Sequence, residues 1–160
     1  MAAPQWPPPK RRCKPTWRRS KRTKRSTPAL PTPKFLDAET VLMIHSRQIE
    51  RFGGTPGVRD RGLMESALAQ PQATFGGELL HPTLADQAAA YLYHLAKNHP
   101  FVDGNKRTAF AVMDTFIRLN GARLGLTPDA AYDLVMQVAQ GQLGKTELAG
   151  ILAQALERAD

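Results

Sequence analysis

Nine consecutive residues, from His99 to Arg107, bring together groups that could act on a phosphate-containing substrate. Imidazole titrates near neutral pH, so His99 is a candidate general base. Asp103 offers one hard oxygen ligand of the kind that Mg²⁺ takes beside nucleotide phosphates. Lys106 and Arg107 add two cations next to it. These side chains predict an anion site suited to phosphates, with a base nearby.

The element that must position these groups is a helix that begins just after Gly104. Apolar residues recur from there with helical spacing as far as Asn120. The first N–H groups of a helix lack intrahelical partners and carry a partial positive charge. Gly104 has no Cβ, so a ligand could approach this backbone closely. The start of the helix is therefore predicted to bind an anion.

Residues 35–160 are predicted to form an all-α domain. Apolar periodicity and capping residues indicate about six helices and one weak extended pair. The helix over 105–120 is apolar around most of its circumference and should be the most buried. The stretch 71–82 is predicted to be an exposed loop or a short hairpin. The six predicted helical spans are 39–52, 60–70, 83–99, 105–120, 129–140 and 146–158.

The net charge of +8 is concentrated at one end of the chain. Residues 1–34 hold half of the 22 basic residues, none of the 14 acidic ones and 8 of the 13 prolines. With almost no aliphatic side chains, this tail is predicted to be disordered. Its residues 10–25 could bind nucleic acid, and a tail without any role is the alternative. The domain that follows is mildly acidic.

The segment His99-Pro-Phe-Val-Asp-Gly-Asn-Lys-Arg107 resembles the signature of the Fic/Doc family, and specifically of its Doc (death-on-curing) branch. The broader Fic pattern is His-Pro-Phe-x-Asp/Glu-Gly-Asn-Gly-Arg-x-x-Arg. Lys106 replaces its second glycine, as in Doc-type toxins, and Phe110 stands where its final arginine would bind phosphate. The resemblance extends over residues 35–158 and excludes the tail. It implies a compact helical bundle with a small flap.

The resemblance also implies roles for the motif residues in a nucleotide-dependent transferase. By position, His99 would deprotonate a target hydroxyl and Asp103 would hold Mg²⁺. The backbone of Gly104 and Asn105 would cradle a phosphate of ATP, which Arg107 would also bind.

Two reactions remain open for such a site. The broader family transfers AMP from ATP, whereas the Doc branch is taken to bind ATP in the opposite sense and to transfer its γ-phosphate. A long cation at Lys106 and the missing arginine at position 110 favour the kinase. The resemblance then implies a toxin that halts translation by phosphorylating elongation factor Tu. AMP transfer is the first alternative, and a regulator without catalysis is a weaker one.

The resemblance further implies two protein partners. A Phd-like antitoxin would neutralise the toxin, because the inhibitory pattern Ser/Thr-x-x-x-Glu-Gly/Asn of the wider family is absent. The target would dock on the flap at Thr74, Phe75 and Gly76 as an added strand, although an ordinary loop is equally consistent with these residues. A secretory signal and a long apolar run are both missing, so a cytoplasmic protein without a membrane span is expected.

Overall fold

The computed structural model describes residues 32–159. The predicted tail, residues 1–34, lies almost wholly outside the described residues. Its disorder and its binding of nucleic acid therefore stay predictions.

The described residues form a bundle of six α-helices, which confirms the all-α prediction. No helix between residues 32 and 159 is long and apolar enough to cross a membrane. The helices are α1 Ala38–Phe52, α2 Arg61–Ala69, α3 Leu84–Asn98, α4 Asn105–Leu119, α5 Pro128–Ala139 and α6 Lys145–Ala155.

Two small antiparallel sheets and one 3₁₀ turn, Gln70–Gln72, complete the domain. The first sheet is a hairpin in the stretch 71–82, as predicted, and it forms the flap. The second joins the segment after α4 to the end of the chain. The strand pairs are β1 Thr74–Phe75 with β2 Glu78–Leu79, and β3 Ala122–Leu124 with β4 Leu156–Arg158.

Short polar side chains begin four of the helices by accepting backbone N–H groups of the first turn. The caps are Asp37, Asp60, Thr83 and Thr127, and Thr83 forms a reciprocal capping box with Asp86. Each such cap satisfies donors that the helix itself cannot satisfy. These local signals explain why the helix starts were predictable.

The predicted last helix, 146–158, is wrong at both ends. Its N-cap is Gly144 and not the predicted Thr146, and the N–H of Gly144 donates to the Glu147 carboxylate at 3.2 Å. It ends at Ala155, and the chain then continues as strand β4. Pairing with β3 supplies backbone partners that a helical continuation would not reach.

The most buried helix is α3, which corrects the prediction for α4. Helix α3 has nine buried residues, compared with six in α4. Five of the nine are alanines, which let the neighbouring helices approach closely on several sides. Helix α4 packs against α3 but leaves another flank to line a pocket. The two helices lie side by side, and the loop that joins them carries the motif.

Candidate active site

His99 lies directly after the last residue of α3, in the left-handed region with φ of 47°. It is the only non-glycine residue with positive φ in the part of the chain that the structure describes. The Arg59 guanidinium donates to the His99 carbonyl from Nε at 2.9 Å and to the Asn98 carbonyl from Nη2 at 3.2 Å. Arg59 thereby caps the end of α3 and holds the backbone that carries the exposed imidazole.

The loop between α3 and α4 is bonded to the segment 57–60, which precedes α2. The N–H groups of residues 59 and 60 both donate to the Pro100 carbonyl, at 2.8 and 3.0 Å. The N–H of Val102 donates to the carbonyl of residue 57 at 3.0 Å. These bonds form an antiparallel bridge that fixes the height of the loop above the core.

Phe101 anchors the loop in the core and is 1% exposed. Its ring stacks on the buried His45 ring of α1, with centroids 4.1 Å apart. The Asn105 side chain bonds both the N–H and the carbonyl of Phe101, each at 2.9 Å. The amide of Asn105 is therefore turned onto the loop, which leaves its backbone N–H for a ligand.

The Asp103 carboxylate is exposed and held by two backbone donors. Its Oδ2 accepts the N–H of Thr55 at 3.1 Å, and its Oδ1 accepts that of Gly104 at 2.7 Å. These two bonds are the main causes that lower the pKa of Asp103. An ionised carboxylate has about four lone-pair directions, so acceptor sites remain for a cation. No cluster of three metal-ligating side chains occurs within residues 32–159. A single carboxylate fits Mg²⁺, which is commonly shared with substrate phosphates.

The N-terminus of α4 faces the same site. No side chain caps it, and its first-turn N–H groups, at Asn105, Lys106 and Arg107, have no intrahelical acceptors. The Arg107 guanidinium donates from Nη2 to the Gly53 carbonyl at 2.9 Å and lies 5.8 Å from the centroid of the Phe52 ring. One of its five donors is occupied by this bond, and the others can bind phosphate.

Two glycines allow this close packing. Gly104 has φ of 73°, and a Cβ there would lie 3.2 Å from Ile49 Cδ1 and 3.4 Å from Arg107 Nη2. Gly54 has φ of 123°, and a Cβ there would lie 2.6 Å from Oδ2 of Asp103. Both positions require glycine for conformation as well as for space.

The motif residues line one pocket of about 950 Å³. All six predicted residues from the loop and the start of α4 contribute to its polar end: His99, Asp103, Gly104, Asn105, Lys106 and Arg107. The pocket continues as a groove along α4 to Arg118, with an apolar wall from β3 and α5. It therefore combines a proton acceptor, a carboxylate, cations and free N–H groups with an apolar extension.

The predicted flap lies outside this pocket, since none of Thr74, Phe75 and Gly76 is among its lining residues. Gly76 and Gly77 both have positive φ, which gives the two-residue turn that a tight hairpin requires. Phe75 is 81% exposed. The structure thus confirms a hairpin here and leaves its role as a docking site a prediction.

A model described as the Fic/DOC family matches residues 35–117, more than half of the chain. The chain belongs to the Fic/Doc family. It is 46% identical over 121 residues to "Toxin Doc" of Mycolicibacterium smegmatis, which covers 74% of this chain and 91% of that protein. It is 33% identical over 119 residues to "Protein kinase doc" of Escherichia phage P1, which covers 74% of this chain and 93% of that protein. These relatives place it in the Doc branch of Fic/Doc.

Sequence reasoning missed the residues that hold the Fic/Doc motif in place. Thr55 and Arg59 lie in the connection between α1 and α2, and neither was assigned a role. His45 lies on α1, and the residue is 3% exposed. It also bonds the main chain of the motif, which helical periodicity could not indicate because α1 is distant in sequence.

Proposed function

We propose that this Doc-branch protein is the toxin of a toxin–antitoxin system and a protein kinase. It would use ATP and Mg²⁺ to phosphorylate a hydroxyl of a translation factor such as elongation factor Tu. The observation that carries the proposal is the single pocket that holds His99, Asp103 and the open N-terminus of α4. The names of the two relatives, a toxin and a protein kinase, support the same assignment.

In the proposed reaction, the His99 imidazole accepts the proton of the target hydroxyl through a ring nitrogen. The hydroxyl oxygen forms a bond to the γ-phosphorus of ATP, the bond from that phosphorus to the β–γ bridging oxygen breaks, and ADP leaves. Asp103 would hold Mg²⁺, which when bound neutralises charge on the phosphates. Phosphoryl transfer needs mainly positioning and charge neutralisation, which this loop and helix can supply.

The negative charge of the transferred group would be stabilised by the start of α4. The backbone N–H groups there and the unoccupied donors of Arg107 point to phosphate oxygens as ligands. The exposed Lys106 adds a second cation. Phe110 presents an apolar side chain to the pocket where the broader Fic pattern has an arginine. This difference favours a changed orientation of ATP and thus γ-phosphate transfer.

The test compares ATP labelled on the α- or the γ-phosphate, with purified protein and a bacterial extract. We expect label on a protein of the extract from γ-labelled ATP alone. Label from α-labelled ATP alone would replace the kinase with an AMP transferase. The variant His99→Ala should lose transfer from either nucleotide, and a variant that still modified its target would contradict both reactions. A wild type that is inactive on all extracts would favour the regulator without catalysis.

The proposed target site is the free edge of the flap. Phe75 and Glu78 pair across the turn, and the N–H of Leu80 donates to the Ala73 carbonyl at 2.9 Å. Alternation of antiparallel bonding therefore turns the N–H and carbonyl of Thr74 outward. An extended segment of the target could pair there as an added strand. Replacing Phe75 by Asp should reduce modification of the protein target while ATP binding stays unchanged.

The proposed inhibitor is a separate Phd-like antitoxin. The nearest matches to an internal inhibitory pattern start at Ser46, inside α1, and at Thr74, in the flap, and neither continues as the pattern requires. The apolar groove along α4 offers a surface for such a partner. Co-expression of the reading frame next to this gene should restore growth, and its failure to bind the purified protein would contradict this assignment.

Binding of nucleic acid through residues 10–25 remains an alternative function. The experiment is deletion of residues 1–34. If toxicity and label transfer survive while affinity for DNA and RNA is lost, the tail is accessory to the enzyme. A cytoplasmic location likewise stays a prediction.

A further inference from the structure

His45 makes a contact with the motif loop that the proposed reaction does not use. The side chain comes from the middle of α1, and its Nε2 lies 2.9 Å from the main-chain oxygen of Asp103. A carbonyl oxygen only accepts hydrogen bonds, so Nε2 carries the proton and donates. Stacking on Phe101, nearly parallel at 8°, fixes the direction in which the ring points.

The carbonyl that His45 binds belongs to the peptide unit between Asp103 and Gly104. The N–H of the same unit donates to Oδ1 of Asp103 at 2.7 Å. This unit is trans and planar, so its carbonyl and its N–H point in opposite directions. A donor that fixes the carbonyl therefore also fixes the N–H that orients the carboxylate.

The residue that follows this peptide unit does not prevent its rotation. Gly104 has φ of 73°, and glycine adopts positive and negative φ at similar cost. A rotated unit would take the N–H away from the Asp103 carboxylate and place a carbonyl oxygen there instead. The partial negative charge of this carbonyl oxygen would then face the negative carboxylate of Asp103, at the edge of the site proposed for phosphate.

We propose that His45 is a positioning residue that locks the Asp103–Gly104 peptide plane. In the locked orientation, the N–H of Gly104 holds the carboxylate of Asp103, the group that would bind a divalent cation shared with ATP. The consequence for ATP rests on the proposed function, whereas the lock itself is a property of the fold. The donor is buried and comes from another helix, so it stays in place when the loop is empty.

Two variants separate the donor from the ring. His45→Phe keeps an aromatic ring to stack on Phe101 and removes the N–H, whereas His45→Gln keeps an N–H donor and removes the ring. The matched control is His81→Phe, the same change at another buried histidine, whose charged neighbours are Lys145 and Asp86. All three are made in the full chain with His99→Ala, so that ATP is bound without turnover.

The first readout is the backbone amide resonance of Gly104 in ¹⁵N-labelled protein, because an N–H that donates to a carboxylate resonates downfield. His45→Phe should move this resonance upfield and weaken binding of Mg²⁺·ATP about tenfold, the order expected for one lost hydrogen bond. In His45→Gln, the Gly104 resonance and the affinity for Mg²⁺·ATP should both lie closer to those of the protein with His45 intact. His81→Phe should change neither the resonance nor the affinity. Unchanged resonance and affinity in His45→Phe would overturn the lock.

A second readout uses the unsubstituted protein and therefore does not depend on whether a variant folds. The ¹⁵N shifts of the His45 imidazole in the unsubstituted protein should show the tautomer protonated at Nε2, and the opposite tautomer would overturn the lock. Neither readout depends on turnover. A protein that transfers no label yet shows these shifts would contradict the proposed kinase and leave the lock standing.

Discussion

The side chain of Asn105 is joined to the main chain of Phe101 by two hydrogen bonds of 2.9 Å, one donated and one accepted. Asn105 is the first residue of α4, and Phe101 is the buried anchor of the loop. This pair therefore links the segment that carries the proposed base, His99, to the start of α4, where phosphate is proposed to bind. The side-chain amide carries its acceptor oxygen and its donor nitrogen on separate atoms, so it can hold the N–H and the carbonyl of one residue at the same time.

Replacing Asn105 by Asp should destabilise the loop. The carboxylate keeps the acceptor for the N–H of Phe101, but it places a second acceptor against the carbonyl. We expect the free energy of unfolding in urea to fall by about 1–3 kcal/mol, the range for a lost partner of a polar group that is shielded from water. Lys106→Ala, an exposed neighbour, should change it by less than about 0.5 kcal/mol. Equal losses in the two variants would show that the two bonds contribute nothing.

Arg59→Ala should lower label transfer more than it lowers affinity for ATP. The guanidinium holds the carbonyls of Asn98 and His99, whereas the groups proposed to bind phosphate belong to α4. We expect about a tenfold loss in turnover, as for a misplaced base. The control is Arg61→Ala, because Arg61 pairs with the exposed Glu65, one helical turn away. A loss of affinity for ATP without a loss in turnover would argue against this role.

Gly54→Ala should impair cation binding, whereas Gly53→Ala should not. Both residues have positive φ, so both variants carry backbone strain. A Cβ at position 54 would also collide with the carboxylate of Asp103 at 2.6 Å, while a Cβ at position 53 has no neighbour within 4 Å. Calorimetric titration with Mg²⁺·ATP measures the difference. Similar affinities in the two variants would mean that the carboxylate can move without cost.

Acid should destabilise the domain through His94, which lies on α3 with its Nε2 3.4 Å from Nζ of Lys145. Burial, together with the positive charge of Lys145, lowers the pKa of His94 to about 4. As the pH falls, the His94 imidazole therefore becomes protonated near pH 6.5 in the unfolded chain, but only near pH 4 in the folded chain. The contribution of neutral His94 to the free energy of unfolding is present above pH 6.5 and is lost as the pH falls from 6.5 to 4. Between pH 7.5 and 4.5, the urea concentration at the midpoint of unfolding should fall less steeply with pH in His94→Gln than in the unsubstituted protein. Equal slopes in the two proteins would show that His94 is not the group responsible.

That the motif residues would lie together could be predicted because the motif is local, and the structure places them in one pocket. His99 and the residues at the start of α4 lie within nine positions of the sequence. The loop between them begins where α3 ends, at Asn98, and it ends at Gly104, just before α4. Four of the helices have a capping side chain directly before their first residue, and it accepts the N–H three residues further on. Such signals need no knowledge of the tertiary structure.

The residues that fix the site could not be predicted in the same way. His45 is 58 positions from Asp103, and Arg59 is 40 positions from His99. In both pairs a side chain bonds a main-chain carbonyl, and every residue has a carbonyl, so the sequence carries no pattern for the pairing. The end of α6 was missed for a related reason, because β4 is defined by its distant partner β3.

Both ends of the domain are fastened at the same place. The main chain of Lys34 exchanges two hydrogen bonds with the side chain of Asn120, and the N–H of Ala159 donates to the carbonyl of Gly121. This point is the far end of α4, a helix of 15 residues and hence about 22 Å from the motif. A fluorescent reporter or an affinity handle joined directly to the domain at Lys34 or Ala159 would thus stand a full helix away from the motif. The two ends are also close enough for a permuted gene that opens the chain elsewhere.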